Sequence, residues 1–204
     1  MAALGAVHGL GESVVRHLRA AYAQARNAEE PLPVAQRTLP ACTFDQIGTG
    51  QLPANFAPGG TQVTLLMHRL GVDAHTRMLT SDRPAPTRPL SIELHYLVTA
   101  WSNVAAEEHA VLAWVMRELH RRPSLDRSVL GPSEAWDPDE SVTLVPAEFD
   151  QEMLLRVWDA LAPHYRLSVG YVARVIRLGD DRPGPDAGPV AAARFALSEV
   201  PAHA

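Results

Sequence analysis

The chain contains no lysine and a single cysteine, Cys42. Without lysine it cannot supply the phosphate-binding loop Gly-x-x-x-x-Gly-Lys, and one cysteine excludes both an internal disulfide framework and a cysteine-based zinc cluster. A lone thiol fits a reducing compartment. No basic excess is present either: the formal net charge is -5, which disfavours a nucleic-acid backbone or an anionic membrane surface as the main partner. No apolar run approaches the length of a membrane span, and the stretch from Met1 to Leu10 lacks a basic flank. The expectation is a chain made in the cytoplasm that stays soluble, with release following another route such as cell lysis.

What is present is a 204-residue chain with 47% hydrophobic residues, enough to bury one core. All 18 basic residues are arginine, a bias that a GC-rich coding genome explains. Its physical consequence is a surface of planar guanidinium forks suited to pairing carboxylates.

Helical spacing of Leu10, Val14, Leu18, Ala21, Tyr22 and Ala25 predicts an amphipathic helix over residues 7–26, stopped before Pro31. Residues 34–39 suggest a short strand. A Gly/Pro-rich run then extends from Pro40 to Gly60 and carries Phe44 and Phe56. Two readings stay open for it: a loop that orders on a partner, or one pinned by its phenylalanines to its own core. Residues 61–70 alternate as a strand, and residues 71–89 carry no usable period, predicting a mobile arm.

Residues 91–101 alternate Ile92, Leu94, Tyr96 and Val98 with Ser91, Glu93, His95 and Thr99, predicting a strand with one packed face. A helix follows over 104–120, with Val104, Val111, Leu112, Val115 and Leu119 on its apolar side and Glu107 and Glu108 in its first turn. The connection 123–140 holds Trp136, either a staple for that loop or an anchor for a partner. Residues 141–146 predict a strand, and Asp150 is placed to cap a helix reaching Leu161, whose Leu154, Val157, Trp158 and Leu161 share a face. The strand predicted over 167–178 alternates Val169, Tyr171, Ala173 and Val175 with Val172, Arg174 and Ile176. Residues 179–204 read as a turn-rich extension with a last strand or short helix over 190–200, the strand being favoured. The pattern predicts an α+β fold, a single domain with one mixed β-sheet covered by helices.

Chemistry is scarce. The nine histidines are scattered, with no His-Glu-x-x-His helix, and Glu107, Glu108 and His109 point in different directions from one helix. Gly48 and Gly50 lack the third glycine of a dinucleotide turn, since Pro53 occupies its place. Ser168 has no nucleophile elbow around it. Neither a catalytic centre nor a cofactor or metal site is expected. Trp101, Trp114 and Trp158 lie in or beside apolar periodic runs and are expected in the core or at its edge.

The most informative words are Leu94-His95-Tyr96-Leu97 leading to Trp101, then Val157-Trp158-Asp159-Ala160-Leu161, then Tyr165 to Tyr171 with Ser168 at the centre. In order and spacing these segments resemble the cap, or tail-terminator, proteins of contractile injection systems, the phage-tail-like particles of bacteria. The resemblance covers nearly the whole chain, with residues 1–178 as the terminator-like domain. It implies a fold similar to phage tail terminators and a homo-hexameric ring that contacts the inner tube protein and the sheath protein. That ring would end the tube and hold the last sheath layer distal to the baseplate. It implies no enzyme activity. Against that resemblance, the expectation is a chain lacking the large additional C-terminal domain that some related caps carry.

Candidate interface residues are Phe44, Phe56, Trp136, Arg174 and Arg177. Two other readings stand beside this one: a phage tail-completion or connector protein, and a small hydrolase or ligand-binding domain that would gather His95 or His109 with a nucleophile and an acid.

Overall fold

The computed structural model describes residues 2–27, 39–73, 89–131 and 135–179. In chain order the elements are α1 (Ala6–Asn27), β1 (Cys42–Ile47), β2 (Thr61–Val72), β3 (Leu90–Trp101), α2 (Ala105–Arg121), β4 (Ser124–Leu125), β5 (Val142–Pro146), α3 (Gln151–Asp159) and β6 (Ser168–Leu178). They build an α+β domain around one six-stranded sheet of order β1-β2-β3-β6-β5-β4. Among the described strands β1 and β2 run parallel and the other neighbours antiparallel, so the sheet is mixed, and Ala2 adds an isolated parallel bridge to Leu178.

The expected α1, β2, β3, α2, β5, α3 and β6 are all present. The run from Pro40 to Gly60 is not merely a loop, because β1 lies inside it and pairs with the first half of β2. The expected strand over 34–39, most of the arm over 71–89, and the extension beyond Gly179 lie outside the described residues, as do His75 and His203.

The sheet has two differently covered faces, and alternation along β3 sorts them. Ile92, Leu94, Tyr96, Val98 and Ala100 point to the first face and are buried there under α1 and α2. Leu10, Val14, Leu18 and Tyr22 of α1 and Val111, Leu112, Val115 and Leu119 of α2 close that core. Each such side chain removed from water contributes about 1.5–3 kcal/mol. Tyr22 stands edge-on to Trp114 (centroids 4.7 Å) and to Phe44 (5.1 Å), tying α1 to α2 and β1. The helices are also joined by His17 Nε2 and Glu118 Oε1 at 3.3 Å. Burial, opposed by that carboxylate, lowers the His17 pKa.

The second face carries Glu93, His95, Leu97, Thr99 and Trp101 of β3. Sequence alternation made this face polar apart from Leu97, but Leu97 and Trp101 belong to a second, smaller core with Leu52, Leu66 and Trp158. Val104 was expected on the apolar side of α2; it is the residue before the helix and is half exposed.

Two register shifts flank the middle of β3. On β2 the pairing passes from Met67↔Tyr96 to Arg69↔His95, leaving His68 as the extra residue. On β6 it passes from Ala173↔Leu94 to Ile176↔Ile92, placing Arg174 and Val175 opposite Glu93 alone. A bulge of this kind resets the side-chain alternation. Ile176 therefore joins Ala173 in the first-face core, with no exposure, whereas strict alternation put them on opposite faces. The same shift brings Arg174 and Arg177, three positions apart, onto one face.

Candidate functional site

Leu97, Trp101, Trp158 and Leu161 of the motif segments converge on the second face. Trp101 ends β3, and its indole N–H donates to the Thr64 hydroxyl on β2 at 2.8 Å. Phe56 stands edge-on to Trp101 (4.6 Å), Trp158 of α3 also stands edge-on to Trp101 (6.1 Å), and Tyr165 packs on Trp158 (6.1 Å). The Arg166 guanidinium lies 5.6 Å from the Trp101 ring centroid. Three segments distant in sequence thus share one aromatic ladder. Such edge contacts add about 0.5–1.5 kcal/mol each beyond area burial.

The seat of α3 explains why Trp158 and Leu161 sit where they do. The Asp150 side chain accepts from the Met153 N–H at 2.6 Å and starts the helix. Just before it, Phe149 lies over β6 at Gly170. A Cβ there would fall 1.8 Å from Phe149 Cε2, so glycine leaves the slot that the ring fills. Phe149 also packs on the His68 ring, centroids 5.4 Å apart.

Beyond Phe149 the face turns charged. Arg174 Nε reaches Glu93 Oε1 at 2.9 Å, and Glu93 Oε2 lies 3.6 Å from His95 Nε2. His95 in turn faces His68, with ring centroids 6.2 Å apart. Burial first, then His95 and Arg69, holds the His68 pKa down at about 4. His95 is lowered as well, by burial and Arg69 against the pull of Glu93. Both rings are therefore neutral near pH 7.

The hydroxyl of Ser168 is hydrogen-bonded to that of Thr99 (3.0 Å) and donates to the Arg166 carbonyl (2.8 Å), joining β6 to β3. His109 is exposed on α2. The structure therefore does not bring His95 or His109 to Ser168. Among the described residues no group of three or more His, Cys, Asp or Glu is placed to hold a metal ion. Burial pushes the Cys42 thiol up to about 12, far from a reactive thiolate.

Leu94 and Tyr96 point into the first core, where Tyr96 pairs in register with Tyr171. Of the candidate interface residues, Phe44 is 2% exposed and Trp136 7%, both within the first core, so the folded chain offers neither to a partner. Phe56 packs half-buried on the second core. Arg174 and Arg177 are exposed. Sequence reasoning missed Phe149, His68 and the position of Gly170. A glycine inside an otherwise apolar strand is the signal that pointed there, since it marks a close approach.

The family model described as the Pvc16 N-terminal domain matches residues 12–192. The chain belongs to that family. A comparison with curated proteins finds no match. Among solved structures, the sheath/tube terminator of PVC, an extracellular contractile injection system, in its extended state is similar over 94% of this chain. Its TM-score is 0.51 and its sequence identity 17%. The tube-terminating cap of the anti-feeding prophage is similar over 90% of this chain, with TM-score 0.49 and identity 16%. This Pvc16 N-terminal domain family member spans 64% of the length of the first and 60% of the second. At 17% identity the likeness to the PVC terminator speaks for the fold, and it is the fold expected from the motif order. Among the described residues no helix is long and apolar enough to cross a membrane.

Proposed function

We propose that this chain is a structural terminator of a contractile injection particle, not an enzyme. Six copies form a closed ring that ends the inner tube and holds the last sheath layer at the end distal to the baseplate. The observation that carries the reading is the family match over residues 12–192, supported by a fold shared with a sheath/tube terminator over 94% of the chain. The residues that carry the family resemblance build packing and not a reactive centre: Trp101, Trp158 and Tyr165 form the ladder, and Ser168 spends its hydroxyl on strand pairing.

A terminator must match the tube on one side and present no repeat of that surface on the other, and a ring whose rotation closes meets this requirement. Arg177 is exposed and is aligned by the β6 bulge on the same face as Arg174, whose Nε holds Glu93, so the pair offers guanidinium edges for carboxylates of a neighbouring subunit or tube protein beyond that internal ion pair. Assembly takes place in the cytoplasm, and the particle leaves on lysis. Native mass measurement of the purified chain tests the ring: a hexamer is expected, and a monomer both alone and with tube protein overturns it.

A further inference from the structure

Three surface depressions adjoin one another along the β1 side of the sheet. The first, of about 480 Å³, lies between the end of α1 and β1 and includes Arg26, Cys42 and Thr43. The second, of about 470 Å³, shares those three residues and continues to Gly59, Gly60 and Thr61. The third, of about 320 Å³, shares Gly59, Gly60 and Thr61 and ends at Trp101 and Arg166. Together they make one groove, with Arg26 where the first two depressions meet and Arg166 at the far end of the third.

The charge in the groove is unevenly committed. Asp45 takes Arg19 and Gln62, each at 2.6 Å, and Glu107 accepts from the neutral hydroxyls of Thr61 (2.6 Å) and Ser102 (3.0 Å) and keeps its charge, so Arg19, Arg26 and Arg166 outnumber the two carboxylates of the lining. Arg26 and Arg166 make no ion pair among the described residues. Arg166 is held over the Trp101 ring and does not reach Glu107, so its fork is oriented without being neutralised. A guanidinium fixed in this way loses little freedom when it takes a carboxylate. The glycines between the arginines let a backbone lie close, and nothing lies within 4 Å of where a Cβ would stand on Gly59 or Gly60.

We infer that this groove binds an extended acidic polypeptide segment, with carboxylates of that segment pairing to Arg26 and Arg166. That the segment comes from an adjoining protein of the particle rests on the terminator reading; the groove's preference for acidic peptide does not.

The test is titration of the full chain with a short end-blocked peptide of glutamates, serines and alanines, and with its glutamine counterpart, followed by amide and indole NMR shifts. The expected result is saturable binding of the acidic peptide at least about tenfold tighter than the glutamine peptide, weakened by salt. Arg26→Gln with Arg166→Gln should lower that affinity by about tenfold or more, while Arg117→Gln, a substitution outside the groove, leaves it unchanged. Equal binding of the two peptides, binding unaffected by the double substitution, or no binding overturns the proposal. The native mass of the doubly substituted chain separates the two ideas: a hexamer that no longer binds peptide leaves the ring reading intact.

Discussion

Replacing Gly170 by alanine tests how α3 is seated on the sheet. The added Cβ would stand 1.8 Å from Phe149 Cε2 and 2.2 Å from Cδ2, well inside contact distance, and Gly170 lies on a strand paired on both sides. The backbone has little room to yield, so the ring must leave its slot. Losing part of a phenylalanine's burial, with residual overpacking, costs about 1–3 kcal/mol. Alanine's better strand conformational entropy returns about 0.5–1 kcal/mol. The net expectation is a loss of about 1–2 kcal/mol, read from urea midpoints at unchanged slope. A double-mutant cycle makes the cause specific. Once Phe149→Ala has emptied the slot, Gly170→Ala should be neutral or slightly stabilising, giving a coupling of about 1 kcal/mol or more. A neutral Gly170→Ala in the native background, or strictly additive effects, would refute the reasoning.

Acid should destabilise the chain through His68, whose folded pKa of about 4 lies below the ordinary 6.5. The unfolded chain then binds more protons, so this contribution is intact above pH 6.5 and is lost as pH falls toward 4. Full enclosure would make that loss about 3 kcal/mol, and solvent screening of a half-buried ring leaves about 1–2 kcal/mol. His68→Phe should shrink the drop in urea midpoint between pH 7 and pH 4.5, and an undiminished drop contradicts the assignment. Trp101→Phe should cost about 1–3 kcal/mol, because it strands the buried Thr64 hydroxyl. Adding Thr64→Val should recover part of that loss in thermal unfolding, and no recovery would count against the hydrogen bond. Asp150→Ala removes the cap at Met153 and should cost about 1 kcal/mol, seen as faster amide exchange through α3. Unchanged exchange there would show that the cap does not hold the helix.

Elements with a sustained period were legible in the sequence. The stripe through Leu10, Val14, Leu18 and Tyr22 and the alternation through Ile92, Leu94, Tyr96 and Val98 each name the face that is buried. Asp150 marked the start of α3 because a carboxylate before an apolar run has a definite task. β1 was hidden for the opposite reason: of its six residues only Phe44 is fully buried, and Asp45 and Gln46 interrupt any alternation. The β6 bulge was equally silent, since one extra residue changes which face Ile176 occupies without changing composition. The second core depends on Leu52, Leu66, Trp101 and Trp158 meeting across distant segments, which local periodicity does not encode. Motif order pointed to the family, whereas the groove between Arg26 and Arg166 emerges only when α1, β1 and the end of β3 stand side by side.

A chain that ends the tube and secures the last sheath layer must leave its mark on the particle when it is missing. Electron cryo-microscopy of particles from producing cells lacking this chain, compared with cells in which it is restored, tests that most directly. Without the chain, tubes of irregular length with an open or frayed end distal to the baseplate are expected, corrected on restoration. Tubes of normal, uniform length with an intact distal end in its absence would contradict it.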